Sequence, residues 1–364
     1  MPFCTCPAGN VLLVGDYAAS GVDEEREQSA FAAVMRPWLE KTRVARAGVR
    51  VTSGIGSGHF ASVLSLGDGL PSVAITTDGV GTKIEVARLA GRFETVGIDC
   101  VANNVNDLIC VGADPVALVD YIALDKVDER VLGELARGLF MGADAAGIAV
   151  VGGEIAQVAS MLAARAEGAP PVFDLVGTAV GVLAAGATVL DGSAAVPGDV
   201  VVGVRSSGLH SNGYSLARRA LGDGVLGLAD ALLEPTRVYV GAARALWQAG
   251  VEIHGMVHIS GGGLLNVLRL AAGVAYVLDG LPEPPAVFEA VRAAGDVPLA
   301  EMYATFNMGV GLCVVVPPAM ADATVAAVSD SGEEASVIGR VVDGPDRRVE
   351  IPSAGLVGRG DAFA

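Results

Sequence analysis

Lysine is scarce in this 364-residue chain, which carries 24 basic side chains against 41 acidic ones. Only Lys41, Lys83 and Lys126 are lysines, so arginine supplies nearly all of the positive charge. The formal net charge of −17 repels nucleic acid and anionic membranes. We therefore expect small-molecule partners, with no nucleic acid and no membrane among them. A phosphorylated substrate then needs a local site of cations and N–H groups.

Long apolar runs and a cysteine framework are also missing. Apolar stretches are interrupted by Gly, Asp or Arg before they reach the roughly 18 residues that a membrane span needs. Five cysteines in a chain of this size do not indicate a disulfide framework, which favours a reducing compartment. The opening residues lack the basic start and apolar stretch of a secretory signal. These absences predict a soluble, cytoplasmic protein.

Hydrophobic side chains, by contrast, make up 52% of the sequence, and glycine contributes 49 residues, so the chain is predicted to fold. Its length is large for one hydrophobic core, which favours two domains. The segment Val196-Pro-Gly-Asp199 is typical of a hinge between them. Strand and helix patterns occur on both sides of this hinge. Periodicity alone therefore predicts mixed α and β structure in two domains.

The most informative motif is Thr77-Asp-Gly-Val-Gly-Thr-Lys83, which follows an apolar strand predicted from Ser72 to Thr77. It places a carboxylate, backbone N–H groups, a hydroxyl and an ammonium at one strand end, a combination suited to magnesium and polyphosphate. Lys83 is present although the chain otherwise favours arginine, and a compact ammonium suits a phosphate oxygen in a tight turn. A solvated lysine that opens a helix is the alternative.

A helix is predicted from Ile98 to Val111, with its polar residues on one face. These residues are Asp99, Asn103, Asn106 and Asp107. A solvated outer face is the simple alternative, but such a face normally carries strong helix formers such as Lys, Arg or Glu, and this one has none. The pattern therefore favours polar groups that converge on a site.

Four further glycine-rich segments expose backbone N–H groups that suit a phosphate. They are Thr52-Ser-Gly-Ile-Gly-Ser-Gly-His-Phe60, Gly152-Gly-Glu154, Ser206-Ser-Gly-Leu-His-Ser-Asn-Gly-Tyr-Ser215 and His258-Ile-Ser-Gly-Gly-Gly263. The last two lie between a predicted strand and a predicted helix. In Gly152-Gly-Glu154, an acid follows glycines at the predicted end of the strand Ala149 to Val151.

Seven segments in order resemble the aminoimidazole ribonucleotide synthetase family, also called phosphoribosylformylglycinamidine cyclo-ligase. They are Thr77 to Lys83, Asn106-Asp107, Gly152 to Glu154, Ser206 to Ser215, Leu233-Glu-Pro-Thr-Arg237, Ile259 to Gly263, and Glu301-Met-Tyr to Asn307-Met-Gly. The resemblance runs from about Gly21 to about Val341. The chain resembles this family more than it resembles selenophosphate synthetase. That enzyme is expected to carry a reactive Cys or selenocysteine in its N-terminal glycine loop, where this chain has Ser57 and His59.

The resemblance implies an α/β (α+β) fold of two domains that uses ATP. In a homodimer, the N-terminal domains would pair into a shared β-barrel. The implied divisions are a flexible segment at 1–20, an ATP-binding domain at 21–190, a C-terminal domain at 196–345 and a C-terminal tail at 346–364. The active site would then lie in a cleft lined by glycine loops.

The resemblance also implies the reaction. Formylglycinamidine ribonucleotide would be closed to aminoimidazole ribonucleotide in purine biosynthesis, with ATP and Mg²⁺ as cofactors and release of ADP and phosphate. The implied metal ligands are Asp78 and Asp107, and the implied catalytic residues are Asp107, Glu154, His210 and Lys83. Glu154 is either a further metal ligand or a base, and Lys83 is expected on the phosphates.

The implied nucleotide contacts lie in or beside the glycine turns. They are Gly54, Gly56, Gly58, Asp78, Gly79, Gly81, Thr82, Lys83, Asn106, Asp107, Gly152, Gly153, Glu154, Ser207, Asn212, Gly261 and Gly262.

The four histidines differ in their expected roles. His210 is expected to stabilise the transferring phosphoryl group or to take the amine proton, because imidazole titrates near neutral pH. The small residues around it give no packing reason for a ring, and a structural histidine at a helix start is the alternative. His254 and His258 lie beside apolar residues and favour structural roles, while His59 stays open.

Two departures from the family pattern concern the substrate contacts. In many family members the sequence Thr-Ala-Glu-Met-Pro-Gly follows the Gly-Gly-Glu motif, whereas in this chain Gly152-Gly-Glu154 is followed by Ile155 to Met161. Many also follow the triple glycine with Pro-Glu-Asn, where this chain has Leu264-Leu-Asn266. A basic residue that the family presents as Lys on its N-terminal helix corresponds to Arg36. The departures resemble a variant branch and leave the implied ATP apparatus intact.

Two other functions remain open from the sequence. One is a different ATP-dependent phosphoryl transferase on the same fold, such as thiamine monophosphate kinase, against which Ser206 to Ser215 and Asn307 argue. The other is a non-catalytic paralogue that binds nucleotide and serves in assembly or regulation. Loss of an acid or of Lys83 would favour the second function, and neither is lost.

Overall fold

A computed structural model describes residues 29–35, 50–51, 59–162 and 169–364. Several residues singled out above lie outside these ranges, namely Arg36, Gly54, Gly56, Ser57, Gly58 and the segment 1–20. The expectations for them therefore stay predictions. Before the first sheet, Phe31–Met35 forms a short π-helical segment.

The first domain is built on a six-stranded sheet. Its strands are β1 (Arg50–Val51), β2 (Ser62–Ser65), β3 (Ser72–Gly79), β4 (Asp114–Leu124), β5 (Ala149–Gln157) and β6 (Phe173–Leu183). In space the order is β1-β2-β3-β6-β4-β5. Neighbouring strands are antiparallel except β4 and β5, which are parallel and so need a helical crossover.

Three helices belong to this domain. They are α1 (Lys83–Ala90), α2 (Glu94–Cys110) and α3 (Glu129–Ala146), which forms the crossover. Helices α2 and α3 pack on the sheet, whereas α1 packs on α2 and on the second domain. Asp128 caps α3 by accepting hydrogen bonds from the backbone N–H groups of Arg130 and Val131. Helices α2 and α3 cross so closely that a Cβ on Gly138 would lie 1.9 Å from the carbonyl oxygen of Glu94. This close crossing holds α2 rigidly against the rest of the domain.

Strand β5 continues further than the sequence predicts. The strand was expected to end at Val151, but Gly152, Gly153 and Glu154 pair in register with Val119, Asp120 and Tyr121 of β4. A Cβ on Gly153 would lie 2.5 Å from the Asp120 carboxylate, so the glycine leaves room for that side chain. The predicted end of the strand at Val151 is therefore wrong.

The second domain is built on an eight-stranded sheet. Its strands are β7 (Val200–Arg205), β8 (Gly255–His258), β9 (Val274–Val277), β10 (Val310–Val316), β11 (Ala335–Asp343), β12 (Val349–Ile351), β13 (Leu356–Arg359) and β14 (Ala362–Phe363). The spatial order is β14-β13-β12-β9-β11-β7-β10-β8. The segment 346–364, expected as a tail, supplies three of these strands.

Six helices pack around the second sheet. They are α4 (Tyr214–Leu221), α5 (Ala229–Leu232), α6 (Val240–Gln248), α7 (Ala286–Gly295), α8 (Leu299–Thr305) and α9 (Ala321–Asp330). Three-residue to seven-residue 3₁₀ segments join several of them, including Gly263–Arg269 after β8. Every residue of β10 is buried, which places this strand at the centre of the core.

Helix α2 joins the two domains, because its apolar side packs on the first sheet and its polar side contacts the second domain. Asp99, Asn103 and Asn106 on that side are all buried, so the solvated alternative for this face is wrong. None of the helices in the described part of the chain combines the length and the hydrophobicity that a membrane span requires.

Candidate active site

Two carboxylates from different elements meet beside the interdomain cleft, and we call them the carboxylate pair. Asp78 lies near the end of β3, where its Oδ1 accepts a hydrogen bond of 2.8 Å from the Gly79 N–H. Asp107 lies on α2, and its Oδ1 is 2.9 Å from Nδ1 of His258 in β8. The sequence resemblance predicted both aspartates in the site. It did not place His258 there.

The carboxylate pair carries more negative charge than its surroundings neutralise. Desolvation, and then the like charge of Asp107, raise the pKa of Asp78 to about 6. Because Asp78 keeps an exposed side, water screens part of this effect. Within the described residues, no Lys or Arg side chain hydrogen-bonds to either acid, and the charges of His258 and Arg269 offset only part of the increase in the pKa of Asp78. The pair is therefore a suitable place for an external cation.

Magnesium fits this donor set in one specific way. Among the residues that the structure describes, no group of three or more His, Cys, Asp or Glu side chains is arranged to hold a metal ion. Mg²⁺, however, is usually bound through one or two carboxylates together with water and substrate phosphates, not by an all-protein cage. The carboxylate pair therefore suits a metal that arrives with a polyphosphate.

The polar face of α2 fixes the backbone that carries Asp78. Nδ2 of Asn104 donates to the Asp78 carbonyl at 3.2 Å, and Nδ2 of Asn103 donates to the Gly79 carbonyl at 3.3 Å. One turn further along the helix, Asn106 donates to the Arg237 carbonyl at 2.8 Å and accepts from the Tyr239 N–H at 2.9 Å. The same helix face therefore holds segments of both domains.

Lys83 lies elsewhere than the sequence predicts. Its side chain is fully buried, and Nζ is 2.8 Å from one carboxylate oxygen of Asp99 and 3.0 Å from the other. Nζ also donates to the backbone oxygens of His210 at 3.0 Å and Glu234 at 2.7 Å. An ammonium has three hydrogens, and these three partners use them. A direct contact of Lys83 with phosphate stays a prediction, and this geometry argues against it.

His210 is buried in the turn that follows β7. Its ring packs 6.1 Å from the Tyr239 ring, and a Cβ on Gly311 would lie 2.6 Å from His210 Cε1. The expectation that no packing holds this ring is therefore wrong. Burial lowers the pKa of His210 well below its ordinary value, and the positive charge of Lys83 adds to the effect. The imidazole is thus neutral, and its Nε2 accepts from the Ser207 N–H at 3.4 Å.

The turn around His210 is held by polar contacts from three directions. Ser206 Oγ donates to Asn307 Oδ1 at 2.8 Å, and Asn307 Nδ2 donates to the Gly208 carbonyl at 2.8 Å. Ser207 Oγ donates to the Pro235 carbonyl at 2.6 Å. Gly213 has a φ of 77° beneath the Phe306 ring, which leaves no room for a side chain. Asn212 is half-buried in the same turn.

Two other predicted turns border the cleft. Gly81 and Thr82 are exposed, and Thr82 Oγ1 lies 3.1 Å from Ser215 Oγ, so hydroxyl groups of the two domains meet there. Gly261 and Gly262 follow β8 and are half-buried. The structure thus brings the Asp78 turn, the His210 turn and the turn after β8 to the junction of the two domains.

Glu154 is not brought to the carboxylate pair within one chain. Strand β5 is separated from β3 by β6 and β4, which corresponds to about 14 Å at the usual spacing between strands. Glu154 is exposed on the outer strand of the sheet, as are Gly152 and Gly153. Their roles toward nucleotide or metal stay predictions.

A cavity of about 520 Å³ lies beside the end of β3. Its lining combines apolar side chains, hydroxyl groups and one imidazole, from His59, Phe60, Ala61, Ser62, Leu64, Ile75, Thr76, Thr77 and Thr178. Thr76 and Thr77 immediately precede Asp78 in β3, so the cavity lies near the strand end that carries this carboxylate. Burial lowers the pKa of His59, which favours a neutral ring in this lining.

Sequence reasoning missed three residues of this region. Asp99 was noticed on the polar face but was not placed in the site, Thr236 was only part of a family-like segment, and His258 was expected to be structural. The available signal was the acid at position 99, four residues before Asn103 on a face without Lys, Arg or Glu. Its partners come from distant segments, which no local spacing reveals.

Proteins named phosphoribosylformylglycinamidine cyclo-ligase are similar to this chain along most of its length. That of Methanothermobacter thermautotrophicus is 41% identical over 339 residues, covering 90% of this chain and 94% of the relative. That of Thermococcus kodakarensis is 42% identical over 343 residues, covering 92% and 97%. That of Pyrococcus furiosus is 44% identical over 308 residues, covering 82% and 87%.

Solved structures share the fold at low sequence identity. The crystal structure of tt0281 from Thermus thermophilus has a TM-score of 0.57 at 23% identity and covers 82% of this chain and 90% of that one. Thiamine-monophosphate kinase from Stenotrophomonas maltophilia has a TM-score of 0.60 at 21% identity, covering 90% and 96%. At such identities the likeness shows the fold alone.

Two family models account for both domains. The model described as AIR synthase related protein, N-terminal domain, matches residues 58–183. The model described as AIR synthase related protein, C-terminal domain, matches residues 196–352. Together with the relatives of about 40% identity, they show that the chain belongs to the phosphoribosylformylglycinamidine cyclo-ligase family.

Proposed function

We infer that this chain is an ATP-dependent cyclo-ligase that closes formylglycinamidine ribonucleotide to 5-aminoimidazole ribonucleotide, with release of ADP and phosphate. Identity of about 40% to enzymes of that name over nearly the whole chain is the observation that carries this conclusion. The carboxylate pair supports it, because two neighbouring acids, one with its pKa raised to about 6, suit the divalent cation that accompanies ATP.

The reaction requires a poor leaving group to be activated. The γ-phosphoryl group of ATP is transferred to the amide oxygen of the substrate, which leaves ADP and an imidate phosphate. The ribosyl-bearing nitrogen then attacks the activated carbon, the C–O bond breaks, and phosphate departs with the oxygen as the imidazole ring closes. The protein has little covalent chemistry of its own to perform. Its main tasks are to position the reactants and to offset developing charge.

We assign the binding of MgATP to the carboxylate pair and to the turns around it. Asp78 and Asp107 would hold Mg²⁺, which when bound would neutralise charge on the phosphates. The exposed turn of Gly79, Gly81 and Thr82 offers backbone N–H groups and a hydroxyl to the phosphate chain. The adjacent 520 Å³ cavity, with its threonine hydroxyls and apolar side chains, has the size and composition for a nucleoside.

The second domain would supply the groups nearest the formylglycinamidine ribonucleotide. The turn of Ser207 to Asn212 and the glycines at 261 and 262 border the cleft opposite the carboxylate pair. A neutral, buried His210 can accept a proton, and its Nε2 already accepts from a backbone N–H. Proton transfer through this imidazole would therefore require the turn to move on substrate binding.

We further propose that the protein is a homodimer that covers the open face of the first sheet. Side chains on this face alternate with buried ones along the strands, and they are largely valine and other apolar residues, including Ile75, Val119, Tyr121, Val176 and Val180. Val119 is 40% exposed and Tyr121 is 43% exposed. Such a face on a six-stranded sheet is a site for association. Pairing of two such sheets would form the shared barrel.

Glu154 lies on this same open face, since it pairs in register with Tyr121. In a dimer that buries the face, Glu154 of one copy would approach the other copy. A role for Glu154 as base or metal ligand therefore depends on the second copy.

The most direct test is ADP release by the purified chain with formylglycinamidine ribonucleotide, thiamine monophosphate or selenide as phosphoryl acceptor. We expect ADP only with the first compound, accompanied by an equal amount of phosphate and by the aminoimidazole product. ADP release with thiamine monophosphate alone would replace the proposal with a kinase of the same fold. ATP binding without turnover of any acceptor would favour a non-catalytic role.

A further inference from the structure

A charged cluster connects the two domains next to the cleft. In the first domain, Lys83 begins α1 and Asp99 lies on α2, and both side chains are fully buried. In the second domain, Thr236 donates to Asp99 Oδ1 from its backbone N–H and from its hydroxyl, each at 2.7 Å. Asp99 therefore bonds to both domains.

Lys83 reaches the second domain as well. Its Nζ donates to the backbone oxygens of His210 and Glu234, at 3.0 and 2.7 Å. Thr236 Oγ1 is also 3.0 Å from Ser211 Oγ, so the cluster touches the His210 turn at two consecutive residues. The three hydrogens on Nζ are thus directed at protein atoms. Asp99 Oδ1 accepts from Lys83 and Thr236, whereas Oδ2 lies 2.8 Å from Nζ as an ion-pair contact.

The turn that receives these contacts is strained. His210 has a φ of 62°, a left-handed conformation that a non-glycine residue adopts at a cost. Such a conformation persists only where the surrounding structure over-determines it, and it is frequent at functional sites. The hydrogen bond from Lys83 to the His210 carbonyl acts directly on this residue.

We propose that Lys83, Asp99 and Thr236 form an interdomain clamp that holds the His210 turn opposite the carboxylate pair, so that Lys83 is a positioning residue and not a phosphate ligand. The proposal deepens the proposed function and rests on it for its catalytic consequences. The clamp residues touch neither substrate nor metal.

Helix α2 connects the clamp to the carboxylate pair. Asp99 lies on the same rigid helix as Asn103 and Asn104, which hold the backbone of Gly79 and Asp78. A fixed position of Asp99 relative to the second domain therefore fixes Asp78 relative to that domain too. Helix α2 and the bonds of Lys83 and Asp99 to the second domain therefore help to set the distance between Asp78 and the His210 turn.

The buried charges themselves support a role in positioning. Burial lowers the pKa of Lys83, while the charge of Asp99 opposes this change. Taking both charges out of water costs free energy, and apolar residues of similar volume often replace such a pair without loss of stability. Retention of a buried ion pair is explained in some systems by the specific geometry that it imposes.

A mild substitution tests the clamp without removing a charge. Thr236→Val deletes the hydroxyl that contacts Asp99 and Ser211 and nearly preserves the shape of the side chain. Thr236→Ser restores the hydroxyl. Thr324→Val is a matched control, because Thr324 is also buried. It lies in α9, in another part of the second domain, and its hydroxyl bonds to the carbonyl of Met320, just before that helix.

We expect Thr236→Val to lower kcat for ADP release with formylglycinamidine ribonucleotide by about 10-fold to 100-fold, the size of effect that a small misplacement of reacting groups produces. The Kd for MgATP measured by calorimetry should stay within about twofold, since the carboxylate pair is intact. Thr236→Ser and Thr324→Val should retain wild-type kcat. An unchanged kcat in Thr236→Val would overturn the proposal.

A second variant tests the role of Lys83 directly. The double substitution Lys83→Met/Asp99→Leu removes both buried charges together, so neither is left unpaired. We expect this variant to fold and to bind MgATP with a Kd within about threefold of wild type, with kcat lowered at saturating ATP. A Kd raised by about 10-fold or more would identify Lys83 as a phosphate ligand and overturn the clamp.

Hydrogen exchange separates the clamp from the proposed function. If the wild-type chain released no ADP with formylglycinamidine ribonucleotide, the proposed function would fail, whereas the clamp would remain testable by the backbone amides of residues 207–213. We expect Thr236→Val to accelerate their exchange by about 10-fold and to leave β3 and β6 unchanged. Unchanged exchange in residues 207–213 would overturn the clamp whatever the enzyme's substrate.

Discussion

Two acidic clusters lie along helix α2, and they differ in where their counter-charge comes from. In the interdomain clamp, Asp99 is fully buried and bonds to Lys83 and Thr236 of the same chain. In the carboxylate pair, Asp78 lies beside another acid, and its pKa is raised to about 6. The first cluster has its counter-charge within the chain. The second is proposed to receive it from a bound cation.

The two sheets also differ in how completely their apolar side chains are buried within the chain. Strand β10 of the second sheet is buried along its whole length, whereas the first sheet has one buried face and one open face that carries Val119 and Tyr121. Charged and apolar groups that are paired or buried within the chain therefore stabilise the fold. Regions that are left unsatisfied indicate ligands or a second copy, and the following predictions test this division.

The largest expected effect concerns the complete cluster. Lys83→Met leaves the Asp99 carboxylate buried without its cation, and we expect the free energy of unfolding to fall by about 3–5 kcal/mol. Urea denaturation measures this change. Lys126→Met is the control, since Lys126 is exposed and its ammonium donates to the Ala169 carbonyl at the surface. A loss below about 1 kcal/mol for Lys83→Met would show that the ion pair is not a closed structural unit.

The next effect concerns the open face of the first sheet. Tyr121→Asp should weaken the proposed dimer by about 2–4 kcal/mol, because a carboxylate would enter an apolar interface twice through the symmetry. Light scattering at micromolar concentration should give twice 36.6 kDa for the wild type and the single mass for the variant. Val337→Asp on the exposed surface of β11 is the control. A wild-type mass near 36.6 kDa contradicts the dimer.

The carboxylate pair gives the third prediction. Asp78→Asn removes one charge and keeps the shape, so MgATP affinity should fall by about 10-fold or more. The free energy of unfolding should not fall, because the like charge beside Asp107 is relieved. Calorimetric titration and urea denaturation measure the two quantities. Asp174→Asn, at an exposed position of β6, is the control. Equal MgATP affinity in wild type and Asp78→Asn would remove Asp78 from the site.

The smallest expected effect is a dependence on pH. The folded pKa of Asp78, about 6, lies above its ordinary value of 3.8, so any stability that its protonated form gives is present at low pH and is lost as the pH rises through 6. Metal binding has the opposite requirement, because the ligand must be ionised. MgATP affinity should therefore fall by about fourfold between pH 7.5 and 5.5.

Asp78→Asn provides the reference for this pH titration. The MgATP affinity of this variant changes with pH only through the protonation of ATP. This change is subtracted from that of the wild type. A wild-type curve that parallels the variant over this range would show that Asp78 does not titrate near 6.

The His210 turn shows how far sequence reasoning could reach. The residues Ser206 to Ser215 carry a family resemblance, and the structure places them at the cleft. The buried state of the His210 ring was not predictable, because Tyr239 and Gly311, which pack against it, are distant in sequence. Small neighbours along the chain give no information about such contacts.

Strand β5 shows a different limit. Glycines followed by an acid are typical of a strand end, and the strand was predicted to stop at Val151, before Gly152 to Glu154. Pairing with β4 continues through them, since the partner strand offers a complete row of hydrogen-bonding groups and Gly153 makes room for Asp120. Tertiary pairing overrides a local preference that amounts to roughly 1 kcal/mol.

The sequence by itself determined the mixed fold, the site-forming motif after β3 and the polar face of α2, because period and turn chemistry are local properties of the chain. Only the tertiary structure decided which polar groups are satisfied. Lys83 and Asp78 belong to the same motif, yet α2 and the second domain enclose the ammonium and leave the carboxylate open. Burial and charge pairing depend on segments more than 100 residues apart, so they are decided when the two domains meet.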